Sequence, residues 1–247
     1  MNTVIDLNAL LATISAANPA GVDLRYTAVY DEIREARRSD DVIPQGEWER
    51  EVKSSDWSKV ISASLVALTG KSKDLQIAAW LVEALAMTEG FVGINSGLLL
   101  IAGLLSNFWD DAYPRIEDDD YDYRVAPFEF LNDKLSASIR QIPLTDPRVT
   151  PGYCYLKWQQ SREVGYESEA KRVQREEMLS EGKLPAEEFD AAVAKSSATY
   201  YQSLADAICS SLETFRSLET EWTKGTASTL PGSPISEGPW RTASAWL

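Results

Sequence analysis

Seven acids, Asp110, Asp111, Glu117, Asp118, Asp119, Asp120 and Asp122, crowd around two arginines in the stretch NFWDDAYPRIEDDDYDYR, residues 107–124. Such a density of carboxylates could hold a hard cation or run acid–base chemistry. With Asp118 as first position, Asp120 falls third, Asp122 fifth, Val125 eighth and Glu129 twelfth, the register of an EF-hand loop. Calcium needs that supply because it takes about six to eight oxygen ligands. The sixth position, where glycine makes the sharp turn, is Tyr123, and the tenth is Pro127. The competing reading is a solvated helix–helix connection whose acids lie near the start of the next helix, where the dipole favours them.

Other chemistry is sparse. The chain has no histidine, which removes Ser-His-Asp and Cys-His nucleophiles and every imidazole-bound zinc site. TGKS at 69–72 ends like a phosphate-binding loop, but Leu65 stands where the first glycine is needed and a helix precedes it. SEGK at 180–183 fits a Ser-x-x-Lys pattern at the end of a charged helix, without companion motifs. Cys154 and Cys209 form no CxxC pair, and Cys154 among aromatics reads as a buried, inert thiol. No cofactor is expected. Paired carboxylates for glycosidase-type chemistry remain conceivable among 38 acids, although compact helical bundles rarely open the clefts they need.

The elements that would position these residues are helical almost throughout. The expected fold class is all-α, a multi-helix bundle with a C-terminal extension of long helices. Asp6 caps a first helix bearing Leu7, Leu10, Leu11 and Ile14 on one face. A second carries Val29, Ile33 and Ala36; after the loop around Pro44 and Gly46, Asp56 caps a third that closes at Gly70. Asp74 starts a fourth, closed by Gly90, and the next, from Phe91, is apolar on nearly all sides and so expected at the centre of the bundle. Its Gly93, Gly97 and Gly103 would admit close neighbours. A further helix is expected from about Pro127 to Ile142, with Phe128, Leu131, Leu135 and Ile139.

The boundary PLTDPRVTPG at 143–152 separates an expected first domain, 1–145, from a helical extension, 153–224, packed on it. Residues 155–181 read as one charged, exposed helix, Pro185 as the first residue of a short one, and Ser197 as the cap of a long last helix. That helix aligns Tyr201, Leu204, Ile208, Leu212, Phe215, Leu218 and Trp222, a seam facing either the same fold or a second copy. Residues 225–247 read as a Pro/Gly/Ser linker and the start of a further domain, so the chain is expected to be an N-terminal fragment of a longer one.

A net charge of −14 argues against nucleic acid and anionic membrane surfaces as partners. The start lacks a basic n-region, the longest uninterrupted apolar run, residues 98–105, is too short to span a bilayer, and a cytoplasmic, reducing location is expected. Trp57, Trp80 and Trp109 fall on apolar faces, whereas Trp48 lies in a polar loop, where it would serve as an interface anchor.

Four stretches, PAGVDLRYTAVYDEIREARR (19–38), DWSKV (56–60), the run from Ser72 to Arg124 and PLT (143–145), together resemble the ImpA-type N-terminal domain of TssA proteins of bacterial type VI secretion systems. The resemblance covers roughly the first 145 residues, and SKDLQ…WL.EAL…GF.G is its most specific part. It marks Asp23, Arg25, Trp57, Lys73, Asp74, Trp80, Gly90, Trp109, Asp120 and Arg124 as structural motif residues, with Asp120 and Arg124 as an ion pair holding a helix connection. It implies no enzyme but a cytoplasmic scaffold that binds baseplate, membrane-complex and tube–sheath proteins. The same domain also occurs in accessory relatives, some of them sheath-capping. The contrasting expectation is a carboxylate-dependent enzyme or calcium module built on residues 117–129.

Overall fold

The computed structural model describes residues 5–39, 53–117, 121–169 and 172–229. Among them are nine helices and no strands, only isolated bridges such as Gly21 with Ser72 and Asp74 with Tyr113. The helices are α1 (Leu7–Leu11), α2 (Ala28–Arg37), α3 (Trp57–Gly70), α4 (Leu75–Phe108), α5 (Asp122–Ile139), α6 (Tyr155–Val164), α7 (Arg172–Ser180), α8 (Ala186–Lys195) and α9 (Ala198–Thr229).

Capping follows the sequence closely. Asp6 accepts from the Ala9 amide, Asp56 from Lys59, and Asp74 from both Gln76 and Ile77, each satisfying donors that a helix start leaves open. The segment α4 is two helices in succession, because Gly90 takes φ 60° and ψ −137° in its middle. The second half folds back on the first. A Cβ on Gly97 would stand 2.7 Å from Val82 Cγ2, and one on Gly93 would stand 2.2 Å from the Leu85 carbonyl oxygen. Residues 82 and 97 of a straight helix would lie about 22 Å apart at 1.5 Å per residue, so such contact requires the reversal. The small residues therefore set how closely the halves pack.

This folded-back pair is the centre of the bundle. α9 packs most extensively against α4, followed by α3 and α5, with α1 on its edge and α2 on α3. The more completely enclosed half is the first: Ile77 through Ala86 are all buried, whereas the second half, expected at the centre, exposes Val92 and Leu99. By length and composition α4 could cross a membrane, against the expectation from its uninterrupted apolar run. Its reversal at Gly90 and its burial inside the bundle make it a core element instead. The α9 seam is consumed in the same way. Phe215, Leu218 and Trp222 join the core, with Trp222 edge-on to Phe128 at 4.7 Å and to Trp109 at 5.7 Å. Among the described residues that face packs on α4.

Several expected boundaries move. α5 starts at Asp122, upstream of Pro127, which the helix tolerates near its start, and it ends at Ile139 rather than Ile142. α1 stops at Leu11, short of Ile14. The single charged helix expected over 155–181 is two, α6 and α7, because Gly165 at φ 71° ends the first. Pro185 is the N-cap of α8 rather than its first residue. The α9 backbone runs to Thr229, beyond the expected end at 224, since one glycine inside a helix costs only about 1 kcal/mol. α6, α7 and α8 pack chiefly on one another and form a side lobe on the hairpin-like segment 143–154, where Pro143 bridges Cys154.

Candidate functional site

The motif residues converge on the ends of helices. Lys73 is fully buried, and its Nζ donates to the Leu10 carbonyl at 2.6 Å and the Leu68 carbonyl at 2.7 Å. Both carbonyls belong to final turns, of α1 and α3, where orphan acceptors and the negative end of the dipole favour a cation. Burial draws the Lys73 ammonium down to about 8, while the two carbonyls oppose that shift by bonding the charged form.

Its neighbour Asp74, also fully buried, caps α4 through Oδ1, and Oδ2 has no partner. Burial raises its carboxyl to about 7, against the pull of the Gln76 and Ile77 amides, with Asp23 adding to the rise and Arg25 opposing it. Burial also pushes the Tyr30 phenol up, with the Asp74 charge contributing.

Arg124 completes the set. Nε donates to the Pro114 carbonyl at 2.7 Å, Nη1 to Trp109 at 2.6 Å and Nη2 to Ala112 at 2.7 Å. The guanidinium thus ties down the chain leaving α4, and Asp120, its expected ion-pair partner, lies outside the described residues. Burial lowers Arg124 to about 10, so it stays charged at neutral pH. Asp23 and Arg25 pair with each other at 2.7 Å, half-exposed. Trp57 opens α3 half-buried, Trp80 meets Tyr30 edge-on at 4.6 Å, and Trp109 is half-buried against Trp222.

The calcium-loop register does not survive folding. Asp122, Val125 and Glu129 lie on one continuous helix rather than on a loop that could wrap an ion. Among the described residues no group of three or more acids or cysteines is placed to hold a metal, with Asp118, Asp119 and Asp120 lying outside them. Trp48 also lies outside them. Cys154, expected buried, is half-buried at the N-cap of α6.

A cleft of about 500 Å³ opens where α4 reverses, lined by Met87, Gly90, Ile142, Pro143, Tyr200 and Leu204 among others. Glu89 is the one carboxylate in that lining, so acid–base chemistry by two carboxylates has no second member there. Sequence reasoning missed the buried pair Arg37–Glu83, 2.6 Å apart, whose guanidinium also lies over Trp80 and Phe130. A signal for it existed: Glu83 is a lone charge inside the apolar run WLVEALAM, and a charge in such a place needs a partner.

Lys73 and Asp74 close helix ends and Arg124 secures the chain leaving α4, within an all-helical bundle of the ImpA N-terminal type. Residues 11–133 match the family model described as ImpA, N-terminal, type VI secretion system. Together with the two likenesses that follow, this places the chain in the TssA family of type VI secretion proteins. It is 32% identical over 117 residues to the type VI secretion system component TssA1 of Pseudomonas aeruginosa, an alignment covering 47% of this chain and 34% of that protein. The chain thus spans about a third of that relative's length. The N-terminal domain of the Burkholderia cenocepacia TssA component, including its conserved ImpA_N region, superposes with a TM-score of 0.78 at 27% identity. That match covers 99% of this chain and 92% of the other.

Proposed function

We propose that the chain is a non-catalytic, cytoplasmic assembly module of a type VI secretion apparatus. In this reading it binds baseplate, membrane-complex and tube–sheath components and coordinates tail growth. The observation that carries it is the fate of the motif's polar groups. Lys73 and Arg124 spend their donors on backbone carbonyls, and Asp74 caps a helix, so these residues make a rigid body rather than a reactive centre. The family likeness supports the secretion context. Residues 1–145 act as the family domain, with 153–224 extending it.

The test is pairwise binding of the purified chain to each baseplate, membrane-complex and tube–sheath protein encoded with it, with secretion assayed in cells. Specific retention of at least one component, and secretion lost on deleting residues 11–133, are expected. Secretion unaffected by that deletion would overturn the reading.

A further inference from the structure

One face of the bundle carries almost no charge. Charged residues make up 25% of the chain, yet among the described residues lining the cleft at the α4 reversal Glu89 alone is charged. Arg140, Asp146, Arg148 and Asp206 lie near the lining segments in sequence, but none of them lines the cleft. From Gly90 to Trp109 the chain has no charged residue. The cleft, with Val92 in its wall, leads onto a stripe of the same helix. Ser96 and Leu99 follow Val92 at i+4 and i+7, which puts all three on one side. Val92 is 51% and Leu99 41% exposed, and Met87, also in the cleft wall, is 39% exposed.

The stripe stays open between two neighbours. α1 covers the helix at Gly103, where a Cβ would stand 2.5 Å from Leu11 Cδ1. α9 takes the flank at Asn95, whose side-chain oxygen accepts from Thr214 at 2.6 Å. Charge returns at the far edge, where Ser106 donates to Glu221, itself paired with Lys224.

Shape and charge together select the occupant. The face holds a hollow of about 500 Å³ and, next to it, the ridge of Val92, Ser96 and Leu99. A two-fold interface must be self-complementary, because each partner meets the same patch on the other. Ridge and hollow side by side meet that condition: the ridge of each copy enters the hollow of the other, with the axis between them. A residue near such an axis meets its own counterpart, so a charge there would face a like charge, and the stripe carries none. A different protein would permit opposite charges, which set partner choice and speed encounter, and this face gives up that device. With a net charge of −14, two copies repel one another elsewhere, and an uncharged face is where they touch at least cost.

We infer that the cleft at the α4 reversal and the Val92–Ser96–Leu99 stripe form the interface between two copies of this chain in a two-fold dimer. This goes beyond the assembly reading above and does not depend on it.

The test is sedimentation velocity of the full chain over about 1 to 200 μM, a range suited to a small interface. The average mass should rise with concentration from that of one chain toward that of two. Leu99→Asp and Val92→Asp each bring a carboxylate into the interface twice and should raise Kd at least about tenfold. Raising salt from about 50 mM to about 500 mM should tighten the wild-type dimer, because it screens repulsion between two acidic chains. Melting of both variants, followed by circular dichroism, should stay near that of the wild type, since the replaced side chains are exposed. A chain that stays monomeric at the highest concentration and at both salts overturns the inference. A dimer that neither substitution weakens also overturns it, since the contact then lies on another face. So does a monomeric chain that retains one secretion component and loses it on Leu99→Asp, because the face then belongs to that protein. None of these results touches the deletion of residues 11–133, which tests the assembly reading separately.

Discussion

Replacing Arg124 by lysine keeps the charge and removes the shape, which makes it a sharp probe of how the exit from α4 is held. The guanidinium meets three carbonyls, of Trp109, Ala112 and Pro114, at 2.6 to 2.7 Å, one from each nitrogen. A lysine ammonium is a single point on a flexible stem and cannot reproduce a planar fork. It can keep one of these bonds and leaves two buried carbonyls unmatched. Hydrogen bonds to a charged donor contribute about 1.5 to 3 kcal/mol each, so losing two costs about 3 kcal/mol at the low end, where water and relaxation recover part. Against a typical domain stability of about 5 to 15 kcal/mol this is a large fraction. Urea unfolding followed by tryptophan fluorescence reads it as a lower midpoint with an unchanged slope. A loss below about 1 kcal/mol for Arg124→Lys would refute the claim that the carbonyl fork, rather than mere positive charge, secures this connection.

Three further outcomes are expected. Trp222→Ala should destabilise by about 3 to 5 kcal/mol in the same urea assay, since its ring fills the space between Trp109 and Phe128. Gly90→Ala should cost about 1 to 3 kcal/mol, seen as a lower melting temperature. It places a side chain at φ 60° and ψ −137° with its Cβ 3.2 Å from Ile142 Cγ2. Asp74 should give a pH dependence of definite sign. Its carboxyl is raised by burial from 3.8 to about 7, so the folded state binds the proton more tightly than the unfolded one. That contribution is fully present below about pH 4 and lost as pH rises through about 7. Asp74→Asn, which keeps the capping oxygen, should flatten the urea midpoint between pH 5 and pH 8; an unchanged slope would show that Asp74 is not its source.

Much of the helix plan was legible because capping is local. Asp6, Asp56 and Asp74 cap where an aspartate precedes an apolar period, and Gly90 breaks the chain where a positive φ is required. The start of α5 was not legible, because Pro127 reads as a helix beginning when seen alone and is in fact tolerated one turn inside. Nor was the break at Gly165 between α6 and α7, where mixed charges continue the helical spacing straight across.

The residues of the candidate site divide along the same line. Lys73, Asp74 and Arg124 stand out through the family resemblance, but the expected partner for Arg124 was a carboxylate, and the structure supplies backbone carbonyls instead. A sequence names side chains, and an acceptor that every residue carries leaves no mark in it.

By itself, then, the sequence determined an acidic, all-helical chain without histidine chemistry, its caps and breakers, and its likeness to one secretion family. Those are properties of composition and of neighbours a few residues apart. Only the tertiary structure decided that α4 reverses on itself at Gly90, that the α9 seam packs on α4, and that Lys73 meets the termini of α1 and α3. Each of these joins groups far apart in the chain, and such pairings are selected by burial and packing, which no local pattern encodes.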